Sequence, residues 1–78
     1  MTLNPINGPM RLEELRKDRR ITLRELGEKL EISPTKLCRI EKGEKNPEPE
    51  LLNAICDVLE LGKEDRDTLL WGFGYMAL

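Results

Sequence analysis

A chain of 78 residues can hold one small domain and no second catalytic lobe, which disfavours most enzymes. With 38% hydrophobic, 36% charged and only 4% aromatic residues, it fits a compact helical domain better than a sheet-rich one. The net charge of −2 would argue against a nucleic-acid partner if it were spread evenly, but residues 11–45 hold eleven Lys/Arg against eight Asp/Glu while residues 46–78 hold two against seven, so a polyanion would meet the first half.

Residues 1–9 carry Asn4-Pro5 and Asn7-Gly8-Pro9, turn-forming runs that read as a flexible N-terminal arm ahead of a single domain over 10–78. The arm has no Lys or Arg, so it is not a basic arm for a DNA groove. No apolar run approaches the roughly eighteen residues of a membrane span, and residues 1–10 lack the charged start and apolar run of a secretory signal. The expectation is a cytoplasmic protein with no membrane partner.

From Met10 to about Arg20, Leu12 and Leu15 sit among charges and Glu13 pairs with Lys17 at i,i+4, which predicts a first helix. Thr22 followed three residues later by Glu25 is a capping box, with Ile21 and Leu26 at the positions of a hydrophobic staple. Leu23, Leu26 and Leu30 form the stripe of a second helix. Ser33 caps a third helix with Pro34 in its first turn, where a missing N–H costs nothing, and Ile32 with Leu37 repeats the staple. Gly43 ends that helix. A fourth runs from about Pro49 to Leu59 with Leu52, Ile55, Cys56 and Leu59 on one face. Gly62 opens a fifth whose first turn, Glu64 and Asp65, suits the positive end of the helix dipole. Five helices and no strand pattern predict an all-α fold, a compact five-helix bundle.

Two helices joined by a three-residue turn, the first with a small residue midway and the second capped by Ser, describe a helix-turn-helix over 23–42. Gly27 is the small residue. Leu15-Arg16, Thr22-x-x-Glu25-Leu26, Ser33-x-x-x-Leu37-x-Arg39-Ile40-Glu41-x-Gly43, Asn46-Pro47 and the Leu52, Ile55, Leu59 spacing then appear in order. With these features the chain, from about Arg11 to Leu61, resembles the phage-repressor and Cro group of helix-turn-helix domains, the XRE family, and its bundle the lambda-repressor-like DNA-binding type.

That resemblance implies that the third helix enters the major groove of double-stranded operator DNA. Carried over, Thr35, Lys36 and Arg39 read bases, Arg39 by pairing both acceptors of a guanine. Thr22, Arg24, Ser33, Lys42, Lys45 and Asn46 touch phosphates. Arg16 and Glu41 match positions that form a structural ion pair in relatives. Three positions depart from the family: Leu23 stands where a polar residue often meets phosphate, and Glu31 and Arg20 replace common glycines.

Two cysteines and no histidine cannot complete a four-ligand zinc site or a Cys/His pair. No metal, cofactor or small-molecule substrate is therefore expected, and the protein is not read as an enzyme. Cys56 reads as a small core residue, and Cys38 as the more exposed thiol. All three aromatics, Trp71, Phe73 and Tyr75, crowd into the C-terminal segment 62–78 with Leu69, Leu70 and Met76. This tail folds back over the first and fourth helices, buries itself in a second subunit, or does both; the expected dimer interface comprises these six residues. The leading expectation is a transcriptional regulator, a repressor that binds a palindromic operator as a homodimer. The alternative is a protein-interaction module of the same fold, antitoxin-like or a co-regulator, with weak or no DNA binding.

Overall fold

The computed structural model describes residues 7–75; Met76 and most of the expected arm lie outside them. Five helices follow in chain order, α1 Gly8–Asp18, α2 Leu23–Leu30, α3 Pro34–Glu41, α4 Pro49–Val58 and α5 Lys63–Gly72, with no strand among the described residues. α1 packs on α3 and α5, α2 on α3 and α4, and α4 on α5. One core joins them: Leu12, Leu15, Leu26, Leu37, Ile40, Leu52, Ile55, Cys56, Leu59 and Leu69 are sealed from solvent, with Leu61 and Phe73 nearly so. None of these helices is long and apolar enough to cross a membrane.

α1 starts two residues earlier than its sequence suggests. Asn7 is its N-cap, the side-chain oxygen accepting from the Met10 N–H at 2.9 Å, and Pro9 sits in the first turn. Residues 7–9 are therefore helix start rather than arm. Proline costs a helix nothing there, because the N–H it lacks has no intrahelical acceptor in the first turn. Gly8 is buried against the end of α5, where a Cβ would lie 2.6 Å from the Gly72 carbonyl carbon and 2.8 Å from the Phe73 ring.

Every helix ends the same way. The N–H of the left-handed residue at or just after the cap, Gly43 and Gly74 included, bonds three residues back and the next N–H five back, as in Arg20 to Lys17 O with Ile21 to Arg16 O, and Glu31 to Glu28 O with Ile32 to Gly27 O. These are Schellman ends, which satisfy carbonyls that the helix leaves unpaired. They require a left-handed residue, and glycine fills the position only at Gly43 and Gly74; Arg20, Glu31 and Glu60 adopt φ of 58°, 60° and 56°. Each costs on the order of 1 kcal/mol relative to glycine. Ile21, Ile32 and Leu61 each follow one of the three and immediately precede the next helix's cap, so one apolar residue closes one helix and aligns the next.

The capping box forms as its sequence spacing predicts. Thr22 Oγ accepts from the Glu25 N–H at 3.0 Å, and Glu25 Oε1 accepts from the Thr22 N–H at 2.9 Å. Gly27 lets the turn close: a Cβ there would lie 2.7 Å from the Ile32 carbonyl oxygen and 3.4 Å from the Pro34 nitrogen, both backbone atoms. Gly27→Ala is expected to lose about 1–3 kcal/mol of stability, because only a backbone shift relieves that overlap. Thermal melting checks this; an unchanged midpoint would mean the turn gives freely.

Leu69 and Phe73, expected at a dimer surface, lie instead in the chain's own core, and Tyr75 is half-buried. Helical rotation explains the division. Leu69 faces inward while Trp71, about 200° further round, is 60% exposed.

Candidate nucleic-acid interface

α3 is short, and its two faces differ in kind. Leu37, Ile40 and Glu41 face the core, whereas Pro34, Thr35 and Arg39 are exposed and Lys36 half-exposed. Ser33 caps it, its hydroxyl oxygen accepting from the Thr35 N–H at 3.0 Å, so the hydroxyl proton remains available to an outside acceptor.

The inward face carries one charge, and that charge is neutralised. Arg16 of α1 meets Glu41 of α3 with two hydrogen bonds, Nε to Oε2 at 2.7 Å and Nη2 to Oε1 at 3.2 Å, and its Nη1 donates to the Ile21 carbonyl oxygen at 2.7 Å. This fork ties the helix-turn-helix to the scaffold.

On the outward face the charges are left uncompensated. Lys36, Arg39, Lys42 and Lys45 recur every three residues from α3 into the following loop, and among the described residues none has a salt-bridge partner; the same holds for Arg24 at the start of α2. Elsewhere the cations are mixed: Arg19, Arg20 and Lys29 also lack a carboxylate partner among the described residues, while others are paired. Arg11, Lys17, Lys63 and Arg66 each lie within 3.6 Å of a carboxylate.

Ser33, Thr35, Lys36, Arg39 and Lys45 together line an open concavity of about 340 Å³. The cap, the exposed side of α3 and the loop beyond it thus face one space. Thr22, Arg24, Lys42 and Asn46 are exposed but do not line it. Thr22 spends its oxygen on the α2 cap and keeps a proton to donate. Leu23, half-buried, packs against the core and offers nothing outward.

The sequence pattern alone does not reveal what holds the stretch from Asn46 to Pro49. Pro47 is buried, and its carbonyl oxygen accepts from the Tyr75 hydroxyl at 2.7 Å. This bond anchors the segment that presents Lys45 and Asn46 to the end of the chain. A lone hydroxyl-bearing aromatic in an apolar tail was the available signal, since a buried Tyr needs a partner. Of the two thiols, Cys56 is sealed in the core, where burial pushes its pKa up and keeps it protonated, and Cys38 is half-exposed on α3.

Residues 10–69 match the family model of the helix-turn-helix domain. No curated protein and no solved structure gives a significant match to the chain.

Proposed function

The chain belongs to the helix-turn-helix domain family, and we propose that it is a sequence-specific transcriptional regulator, a repressor that binds a palindromic operator as a dimer. The observation that carries this reading is the concavity: three cations and two hydroxyls from the cap, α3 and the following loop converge on one space, and the cations have no salt-bridge partner among the described residues. Surface cations left without carboxylates are suited to an external polyanion, whose condensed counterions they displace.

In this reading Thr35, Lys36 and Arg39 address base edges, and Thr22, Arg24, Ser33, Lys42, Lys45 and Asn46 address phosphate. The work is binding, with no reaction. Occluding a promoter by operator binding makes the protein a repressor. A two-fold dimer supplies the specificity that one short helix cannot, by reading two half-sites about 34 Å apart. Trp71, Leu70 and Met10, apolar side chains left wholly or partly outside the core, supply its contact.

Two observations favour a second reading, a protein-interaction module of the same fold. Leu23 replaces a polar contact, and residues 46–78 are acidic. Mobility shift on the DNA upstream of the protein's own gene separates the two. Arg39→Ala is expected to weaken operator binding by roughly 1–3 kcal/mol and relax preference at one base pair, while Lys45→Ala weakens all sequences alike and flattens the salt dependence. Equal loss on operator and random DNA would make Arg39 a phosphate contact. No shift of any duplex would favour the interaction module.

A further inference from the structure

The concavity is built almost wholly of hydrogen-bond donors. Lys36, Arg39 and Lys45 have no acceptor at all, and acceptor capacity is left only to the hydroxyls of Ser33, one of whose lone pairs is taken by the Thr35 N–H, and Thr35. No carboxylate and no side-chain amide lines it. Such a surface selects among base edges. Cytosine shows a major-groove amino donor, adenine an amino donor beside its N7, and thymine one acceptor beside a methyl group; guanine alone shows two acceptors, O6 and N7, and no donor. A donor meeting a donor in a desolvated groove leaves both unpaired, which is costlier than a missing contact.

Spacing sets the number of such edges. Lys36 and Arg39 stand three residues apart on one side of α3, about 4.5 Å along a helix axis at 1.5 Å per residue. Successive bases of one strand are about 3.4 Å apart. The two side chains therefore reach neighbouring base pairs rather than the same one. Lys45, entering from the loop, adds a third positive charge beside them that is addressed to the phosphate backbone and reads no base.

We infer that each half-site of the operator carries two guanines at neighbouring positions of one strand, one read by Lys36 and the other by Arg39. This rests on the DNA-binding reading above and adds to it the chemistry of the target. Neither side chain has a salt-bridge partner among the described residues, and neither belongs to the core. Their alanine variants therefore keep the fold.

The test is selection of bound duplexes from a pool with a randomised central segment, using the full chain. Affinities are then measured on the selected duplex with single guanines replaced by 7-deazaguanine, which pairs normally but lacks N7. The expected outcome is a guanine doublet in every half-site. Guanine-to-adenine exchange at either position should weaken binding by roughly 5- to 150-fold, and 7-deazaguanine should weaken it at the same two positions. Selection with Lys36→Ala should lose the requirement at one guanine and keep the other, and Arg39→Ala the converse. Strong selection of half-sites without the doublet overturns the inference and leaves DNA binding standing, as does indifference to 7-deazaguanine, which would assign these cations to phosphates. Binding without any sequence enrichment overturns the doublet and base readout together. A chain that retains no duplex overturns the proposed function itself.

Discussion

Glu41→Gln is expected to lower folding stability by about 3–5 kcal/mol, which for a domain of this size is a fall in melting temperature of roughly 15–30 °C. The whole stability of a 78-residue domain is on the order of 4–12 kcal/mol, so this variant sits near the edge of folding. The cause is charge and not volume. Glutamine keeps the shape and one acceptor, but the Arg16 guanidinium, with its side chain 9% exposed, would remain buried beside a Glu41 position only 6% exposed and without its counter-charge. Paired as it is, Arg16 has its Nε and Nη2 on the carboxylate and its Nη1 on the Ile21 carbonyl oxygen. The double variant Arg16→Met with Glu41→Leu should recover most of the loss, since apolar replacement of a buried pair is often neutral. It should still fall short by about 1–3 kcal/mol, because the Ile21 carbonyl loses its donor. A Glu41→Gln protein melting within a few degrees of the parent would sink this account. It would make the pair equivalent to the exposed Glu13 and Lys17, whose side chains are 41% and 63% exposed and whose attraction is screened by solvent. In the proposed DNA-binding role, the same bond matters. α3 is held to α1 through Glu41, one residue beyond the core residue Ile40, so any fraction of Glu41→Gln that folds should also bind its operator more weakly.

What could be read without the structure was local, and what could not was either long-range or against residue type. Thr22 with Glu25, Ser33 with Pro34, and the Leu52, Ile55, Cys56, Leu59 face each announce an element within a few residues, and each forms as the spacing predicts. The helix-turn-helix was legible because Gly27, Ile32 and Leu37 lie within one short stretch. Asn7-Gly8-Pro9 misled because glycine and proline break a helix interior, whereas here the proline sits in the first turn. The value of Gly8 depends on Gly72 at the other end of the chain, and no local pattern carries that. Arg20, Glu31 and Glu60 hold left-handed positions that residue type points away from; the turns are imposed by the helices they join. At the candidate interface, the cations of α3 follow from the family resemblance of the third helix. That Lys45 shares a concavity with them depends on the path of the loop, which the Tyr75 bond to Pro47 helps to hold.

Two substitutions on α5 and at its end should give opposite phenotypes, and together they test the proposed dimer. Trp71→Glu is expected to lower operator affinity by about 10² to 10⁴-fold, the factor gained when two linked modules bind together, with the intrinsic stability of the folded monomer within about 0.5 kcal/mol of the parent's and only the concentration-dependent part of the melting temperature lost. Phe73→Ala is expected to cost about 3–5 kcal/mol of folding stability. The difference follows from position. Trp71 is 60% exposed and lies outside the core, while Phe73 at 8% exposed closes the core and its ring lies beside Gly8. A stable interface buries at least about 1,200 Å² in total, and one tryptophan supplies about 150–250 Å². Other apolar surface must join it. Met10, 57% exposed and two residues from the Gly8 that abuts Gly72, is the other large apolar side chain exposed among the described residues, and with Trp71 it is proposed to supply the contact. A carboxylate placed there would be desolvated on both sides of a two-fold axis, and like charges would face each other across it. Sedimentation equilibrium should show the parent as a dimer and Trp71→Glu as a monomer that still binds single half-sites with ordinary domain affinity. A parent that sediments as a monomer at operator-binding concentrations overturns the dimer. A Trp71→Glu protein that stays dimeric, with full cooperativity on two half-sites, moves the interface to another face.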